Sequence, residues 1–382
     1  MGPEKVIFFR NADFGMKAIL VIDNSSFGVP AGGIRYAENI TLEEMTRLAR
    51  AMTLKFCTYG VSCGGAKSGL IGNPLDKNRN LLLTSFADAL SPFIRTNAYY
   101  PGPDMGTYDS DLERIFKVVD RPELAHRKVG LIKNGVPVEE LFTGYGVLYC
   151  LQTVLRHLNL NDDYKPRIIL EGFGKVGTAL AMSLKEINYI LTGLSTLKGA
   201  IYDDDGLDID ELLRLKLEFG GDDLINHYES KNLVRVPKEK LFELSSEYQT
   251  DVIVPGARQD VIHKGNIDKI NVRAVISAAN IPYALGAVES LEEKGVIAFP
   301  DYVSNAGEIL ALSVINNPVS VDHIFNHIKT KITEKTVEIL NGAKTENIST
   351  SEFAKNKAIS TYKNWAIKKK KKIERLSDRI KV

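Results

Sequence analysis

The order of apolar and polar residues predicts a first third built from short strands and helices. Residues 16–25 read as a strand, and residues 81–94 read as a helix. Residues 40–56 also predict a helix, because apolar side chains recur there at three- and four-residue spacing behind the capping-box pattern of Thr41 and Glu44. Three further segments are a glycine-broken strand or loop at 28–36, a glycine-rich strand and loop at 59–74, and an irregular segment at 98–107.

The pattern changes after a long helix predicted at about residues 144–158. Five short apolar runs follow, with helical stretches between several of them: RIILEG, NYILTGL, DVIVPGA, RAVISAA and VIAFPD. Alternating strands and helices of this kind are typical of a doubly wound parallel sheet. Residues after 305 are predicted to be helical to the end of the chain.

Length and composition agree with a two-domain α/β protein. The chain has 382 residues, 44% apolar residues and a formal net charge of +1, so no overall field favours nucleic acid or an acidic membrane as partner. The three cysteines have no zinc-type spacing, and we expect reduced thiols and a cytoplasmic protein without a bound metal. The first residues do not resemble a signal peptide, and no apolar run is long enough for a membrane span.

A glycine-rich turn follows the first run of the predicted parallel sheet. The sequence GFGKVG at 172–177 has the GxGxxG spacing, lies directly after a strand and opens a helical stretch. Such glycines permit a tight turn, let a pyrophosphate approach the backbone and allow the helix to pack on the strand. The context favours dinucleotide binding over a purely structural turn, with Gly172, Gly174, Lys175, Val176 and Gly177 as the binding residues.

The end of the next strand bears on the choice of cofactor. An acidic residue about 20 positions after the glycines usually binds the ribose 2′-hydroxyl. Here the segment reads TGLSTLK, without a carboxylate before Asp203, and Ser195, Thr196 and Lys198 could hold a 2′-phosphate. This favours NADP or dual use of NAD and NADP.

Two lysines and one aspartate are candidates for chemistry. Lys55 continues the apolar stripe of the 40–56 helix, where a lysine either extends its amine to water or has an anionic partner, and the pattern alone favours the first. Lys67 lies among small residues in GGAKSG, so it is either an exposed turn lysine or a desolvated amine, with Lys55 as a like charge, whose pKa is lowered enough for general-base catalysis. Asp104 lies in the stiff turn PGPDMGT, where a turn-capping role is the commoner explanation.

Several segments together resemble the glutamate/leucine/phenylalanine/valine dehydrogenase family. They occur in the family's order between about residues 17 and 315: GGIRY, MTLK, GGAK, PDMGT, TGYGV, GFGKVG, SAAN and SNAG. The resemblance implies an N-terminal substrate and oligomerisation domain (1–140), a Rossmann-type dinucleotide domain (141–315) and a C-terminal helical segment (316–382) that packs back on the first domain. It implies catalysis in a cleft between the two domains.

The same resemblance implies roles for individual residues. Lys67 would be the catalytic base that activates water, Asp104 would carry protons to and from the substrate nitrogen, and Lys55 would bind the α-carboxylate, with Gly33 beside the substrate. Thr143, Asn280 and Asn305 would bind the cofactor, the first two near its carboxamide. The implied reaction is NAD- or NADP-dependent oxidative deamination of an L-amino acid to a 2-oxo acid and ammonia, carried out by a homo-oligomer.

Two positions bear on the substrate side chain. Family members that act on glutamate have a lysine where this chain has Ala31, and a serine where it has Leu312. Burying a distal carboxylate without a cation is costly, so we expect an apolar substrate, branched-chain or aromatic, with glutamate as the alternative.

Two departures from the family pattern leave a further alternative. Glu308 replaces a glycine after SNAG, and Ser68 replaces a glycine after the lysine of GGAK. A catalytically weak, nucleotide-binding regulatory paralogue is therefore a second alternative, against which the three retained residues argue. Nucleic-acid binding by the lysine run 368–372 is disfavoured, because no aromatic residues interrupt the run.

Overall fold

The computed structural model describes residues 2–125, 130–133, 135–160, 163–315 and 320–380. The start of the predicted C-terminal segment, at 316–319, lies outside this part of the chain, as do most side chains of the lysine run. The chain divides into two compact units, one formed by residues 1–128 and 355–382 and the other by residues 129–354.

The first unit is built on a mixed five-stranded sheet. Its strands are β1 (Lys5–Asn11), β2 (Met16–Ile22), β3 (Pro30–Ala37), β4 (Gly64–Ile71) and β5 (Tyr100–Pro103), and its helices are α1 (Leu42–Tyr59), α2 (Arg79–Arg95) and α3 (Asp109–Val118). The strand order is β1-β2-β4-β3-β5, with β3 parallel to both β4 and β5. The segments 28–36 and 98–107, predicted to be broken or irregular, therefore contain two paired strands.

Successive residues of β3 and β4 point to opposite faces of this sheet. Ile34 and Tyr36 of β3, with Ala66 and Leu70 of β4, are buried in a core that includes residues of α2 and α3. The alternate residues of both strands face the other way, where α1 packs on β4.

The second unit begins with two short paired strands and a helix. These elements are β6 (Ile132–Lys133), β7 (Val136–Pro137) and α4 (Phe142–His157). A seven-stranded sheet follows, in the order β11-β10-β9-β8-β12-β13-β14. Its strands are β8 (Arg167–Glu171), β9 (Ile190–Thr196), β10 (Gly199–Tyr202), β11 (Val234–Val236), β12 (Val252–Val254), β13 (Ala274–Ile276) and β14 (Ile297–Phe299).

Five neighbouring strands of this sheet are parallel, in the order β9-β8-β12-β13-β14. They correspond to the five predicted apolar runs, so the predicted α/β class with a Rossmann-type sheet is confirmed. β10 is antiparallel to β9 and was not predicted. The helices are α5 (Lys175–Glu186), α6 (Ile209–Phe219), α7 (Leu224–His227), α8 (Ala287–Glu293), α9 (Asp301–Ser304), α10 (Gly307–Leu312), α11 (Val321–Glu346) and α12 (Thr350–Ile380).

The C-terminal helices divide differently from the predicted segment 316–382. Helix α11 packs on α4 and groups with the second unit, whereas only residues from 355 onwards group with the first. There the rings of Tyr362 and Trp365 contact Phe27, with centroid distances of 5.2 and 4.9 Å. In the described ranges, no helix is long and apolar enough to cross a membrane.

Candidate active site and dinucleotide site

Small residues create space for Lys67 on the α1 side of the first sheet. A Cβ atom added to Gly65 would lie 2.3 Å from the Thr53 nitrogen, and one added to Gly33 would lie 2.8 Å from the Asp104 Cβ and 3.2 Å from the Lys67 Nζ. Gly65 therefore lets α1 lie directly on β4, and the absence of a side chain at Gly33 lets Lys67 and Asp104 lie close to the β3 backbone. Lys67 itself is only 3% exposed.

Lys67 belongs to a chain of four alternating charges. Its Nζ lies 2.9 Å from Oδ2 of Asp104, and the same oxygen accepts a hydrogen bond from Nε of Arg35 at 2.9 Å. The other side of the Arg35 guanidinium donates to Glu44 of α1. Two carboxylates thus neutralise two cations in a region from which water is largely excluded.

This arrangement sets the charge states of the lysine and the aspartate. Burial lowers the pKa of Lys67 and the charge of Arg35 lowers it further, while Asp104 opposes both effects. Burial alone would raise the pKa of Asp104, but Lys67 and Arg35 hold it well below its usual range. Asp104 is therefore ionised at neutral pH, and Lys67 loses its proton more readily than an exposed lysine. Arg35, which the sequence analysis did not name, is one like charge that lowers the pKa of Lys67, and the part predicted for Lys55 stays a prediction.

The turn after β5 holds Asp104 in this position. The Asp104 N–H donates to Oγ1 of Thr107 at 2.9 Å, and that hydroxyl donates to the Ile34 carbonyl at 2.7 Å. Gly106 has φ +79°, and an added Cβ would lie 2.1 Å from the Tyr36 carbonyl, so only glycine fits there. The turn is thus anchored on both sides of Arg35, and Asp104 is more than a turn cap.

Helix α1 brings Glu44 and Lys55 to the same face of the sheet. Oγ1 of Thr41 accepts from the Glu44 N–H at 3.1 Å, as the capping pattern predicts, but the Glu44 side chain is paired with Arg35. Lys55 lies eleven residues, about three turns, further along the same helix face and is 6% exposed. Its burial excludes the prediction that the amine extends to water.

The serine after Lys67 has a structural role. Ser68 points to the opposite side of β4 and is buried, and its hydroxyl is 2.9 Å from the hydroxyl of Tyr99. Tyr99 in turn donates to the Gly32 carbonyl at 2.7 Å. The departure at residue 68 therefore adds a bond to the core of the first unit and leaves the Lys67 side of the strand unchanged.

The glycine turn of the second unit has the features that a pyrophosphate requires. Gly172 has φ +87°, and a Cβ added to Gly177 would lie 2.0 Å from the Gly172 carbonyl, so α5 packs tightly on β8. A Cβ on Gly174, the N-cap of α5, would meet nothing within 4 Å. Lys175 and Val176 form the first turn of that helix. The N-terminal N–H groups of α5 are thus open to an anion, and these residues fit a bound dinucleotide.

The other predicted cofactor residues fall into two groups. Asn305 donates to Oδ1 of Asn280 at 3.0 Å. A Cβ on Gly307, two residues after Asn305, would lie 3.0 Å from the Thr143 Cα. Thr143, Asn280 and Asn305 therefore come from three segments that are in contact with one another. Ser195 and Thr196 lie at the end of β9 and are buried.

The specificity positions lie on different units. Ala31 is half-buried on β3, whereas Glu308 and Leu312 belong to the short helix α10, where Leu312 is exposed.

Sequence reasoning missed Arg35 and Glu44 as parts of the Lys67 site. Arg35 was visible within GGIRY, and its position two residues after Gly33 places it on the same strand face. Glu44 was interpreted only as a helix cap.

The two units thus define a protein with a Rossmann-type dinucleotide domain and a separate buried lysine–aspartate site. Residues 135–370 match the model of the Glutamate/Leucine/Phenylalanine/Valine dehydrogenase family, and residues 3–121 match its dimerisation domain. The chain therefore belongs to the Glu/Leu/Phe/Val dehydrogenase family, and it is an amino acid dehydrogenase that uses NAD or NADP.

Individual relatives agree with this assignment. A glutamate dehydrogenase of Thermotoga maritima is 31% identical over 75% of this chain and 68% of its own length. An NADP-specific glutamate dehydrogenase of Saccharolobus shibatae is 27% identical over 81% of this chain and 74% of its own. The fold is similar to that of a hetero-hexameric glutamate dehydrogenase from Thermus thermophilus, with a TM-score of 0.81, 20% identity, and coverage of 95% of this chain and 89% of that one.

Proposed function

We propose that this dehydrogenase acts on an apolar L-amino acid, branched-chain or aromatic, and converts it reversibly to the 2-oxo acid and ammonia. The observation that carries the proposal is the position of Ala31. Residues 31, 33 and 35 alternate along β3, so Ala31 is on the same strand face as Gly33 and Arg35. A methyl group there offers no cation to a distal carboxylate, whereas it suits an apolar side chain.

The charge states of the site suggest how the chain's own residues handle protons. A nicotinamide cofactor, when bound, would supply the hydride acceptor for the substrate Cα, so that an imino acid is left for the chain's own residues to hydrolyse. Neutral Lys67 then takes a proton from the water that adds to the imine carbon. Ionised Asp104, 2.9 Å from the amine, takes this proton from Lys67 and passes it to the nitrogen, which leaves as ammonia while the hydroxyl proton of the addition product goes to Lys67.

Lys55 is our candidate for binding the α-carboxylate. Thr53, two residues earlier, packs on Gly65, and Gly65 pairs with Ala31 in the sheet. This part of α1 therefore covers the first half of β3, the half that contains Ala31 and Gly33. A buried ammonium at this end would favour a substrate with a carboxylate next to the reacting carbon.

Glutamate is the second candidate substrate, because the reported relatives from Thermotoga and Saccharolobus are named glutamate dehydrogenases. Measuring kcat/KM for leucine, valine, phenylalanine and glutamate with NAD and with NADP separates the two. We expect an apolar amino acid to be preferred, and a clear preference for glutamate would refute this substrate assignment. Absence of turnover with all of them, despite cofactor binding, would favour a regulatory paralogue, for which Glu308 is the only sequence support.

A substitution tests the role of position 31 directly. We expect Ala31→Lys to raise kcat/KM for glutamate relative to leucine, because the new cation would pair with a distal carboxylate. Ala37→Lys is the matched control, since it adds the same charge on the same face at the far end of β3. Equal effects of the two variants would show that net charge, and not position 31, changes the preference.

We also propose that the chain forms a homo-oligomer. Residues 3–121 match a dimerisation domain, and Phe8 is 65% exposed on β1, a strand at the edge of the first sheet. An exposed aromatic residue on an edge strand favours pairing with a second chain. Light scattering during size-exclusion chromatography tests this, and a monomer at micromolar concentration would contradict it.

A further inference from the structure

The end of β9 carries a carboxylate that comes from a distant part of the sequence. The Leu197 N–H, just after the strand, donates to Oδ1 of Asp222 at 3.2 Å, and the Thr196 hydroxyl donates to the Asp222 carbonyl at 2.8 Å. Asp222 lies in the loop between α6 and α7 and is exposed. The side chain is thus tied to the tip of the strand next to β8 and is still accessible to a ligand.

We propose that Asp222 binds the adenosine ribose and makes this chain prefer NAD to NADP. In dinucleotide-binding sheets, the acid that binds the ribose 2′-hydroxyl belongs to the end of the second strand, and β9 is that strand here. An ionised carboxylate accepts hydrogen bonds from ribose hydroxyls and repels a 2′-phosphate, which carries up to two negative charges. Asp222 supplies this group from another loop, far beyond the usual separation of about 20 residues.

Several groups that could bind a 2′-phosphate already make hydrogen bonds within the protein. The Thr196 hydroxyl, which the sequence offered as a phosphate ligand, donates to Asp222, and Ser195 is buried within β9. Lys216 of α6 donates to the Phe173 carbonyl at 3.0 Å and to the Thr178 hydroxyl at 2.6 Å. These bonds also tie α6 to the glycine turn, and the loop with Asp222 follows that helix directly. Lys198 is exposed and favours NADP, and a preference for NAD is the opposite of the cofactor preference predicted from the sequence.

Titration calorimetry with NADH and NADPH on the intact protein tests the inference independently of catalysis. We expect the unmodified protein to bind NADH at least about tenfold more tightly than NADPH. Asp222→Asn keeps an acceptor for the Leu197 N–H and removes the charge, so it should strengthen NADPH binding about tenfold and weaken NADH binding. Asp223→Asn removes an equal charge from the adjacent exposed residue and should leave the ratio of NADH affinity to NADPH affinity unchanged.

Three results would overturn the proposal. The first is that the unmodified protein binds NADPH as tightly as NADH or more tightly. The second is that Asp222→Asn and Asp223→Asn change the ratio equally, which would indicate a general charge effect. The third is that Lys198→Ala abolishes NADPH binding while Asp222→Asn leaves both affinities unchanged.

Discussion

Replacing Arg35 with methionine tests whether the four-residue charge chain sets the chemistry of Lys67. Arg35 is nine-tenths buried and contacts two carboxylates that are themselves at most 15% exposed. Its loss would leave Asp104 and Glu44 close together with Lys67 as the remaining cation of the chain. Removing one partner of a buried ion pair costs about 3–5 kcal/mol, so we expect the free energy of unfolding to fall by about that amount.

The same variant should change the pH dependence of catalysis in a definite direction. The Arg35 charge lowers the pKa of Lys67 and of Asp104, so both pKa values should rise when it is removed. Oxidative deamination needs neutral Lys67, and the rising limb of kcat/KM against pH should therefore move to higher pH. Because Arg35 also orients Asp104, we expect kcat/KM at neutral pH to fall by about 10²-fold.

Urea denaturation and a pH–rate profile of each variant provide the measurements. Arg50→Met is the matched control, because it also removes an arginine from a buried carboxylate, that of Asp23 at 2.7 Å, which is not one of the four charges of the Lys67 chain. It should destabilise the protein without moving the rising limb. Arg35→Lys keeps a positive charge and should leave the limb close to its original place. A limb that does not move in Arg35→Met, or that moves equally in Arg50→Met, would refute the electrostatic reasoning.

Four further substitutions test other parts of the two sites. Lys67→Met should lower kcat/KM by about 10³-fold while NADH binding measured by calorimetry stays unchanged, and substantial residual turnover would exclude Lys67 as the base. Gly174→Ala should weaken NADH binding without loss of stability, because its Cβ meets no protein atom within 4 Å. Gly177→Ala should instead destabilise the protein, because its Cβ would clash with the Gly172 carbonyl. A lower melting temperature for Gly174→Ala than for Gly177→Ala would contradict this explanation. Ionised Asp104 contributes stability that is fully present above its unfolded pKa of about 3.9 and is lost as pH falls towards its lowered folded pKa. Asp104→Asn should therefore show a shallower loss of stability between about pH 5 and 2 in urea titrations, and an unchanged slope would argue against this.

The parallel sheet was predictable because its strands are continuous apolar runs. Each of the five runs is buried on both faces, and such burial selects β-branched and aliphatic residues regardless of the surrounding contacts. Strands β3 and β5 gave no such signal. Glycines occupy positions where β3 approaches neighbouring backbone, as the clash of a Cβ on Gly32 with the Ala66 carbonyl illustrates at 1.7 Å, and β5 is a short strand that contains two prolines. Their pairing depends on tertiary contacts that local propensity does not record.

Among the charged residues, too, some could be recognised from the sequence and others only from the fold. Lys67 and Asp104 are marked by unusual neighbours in the sequence, so their importance could be inferred before their contact was known. Asp222 and Glu44 lie in ordinary surface-type contexts, a polar loop and the first turn of a helix. Only the fold brings Asp222 to the end of β9 and turns Glu44 towards Arg35. No periodicity in the sequence encodes either contact.

The glycines around Lys67 connect the fold to the proposed chemistry. Gly65 and Gly69 lie on the same strand face as Lys67, and each is in close contact with the chain at or just before α1 through the space that a Cβ would fill. That close approach is what places a helix over the lysine and removes water from its amine. Larger side chains at these two positions would lift α1 from β4, re-expose Lys67 and return its pKa towards the ordinary value, since burial is the largest cause of the lowering. The small residues that interrupt the strand pattern of β4 in the sequence are therefore the reason that its lysine can act as a base.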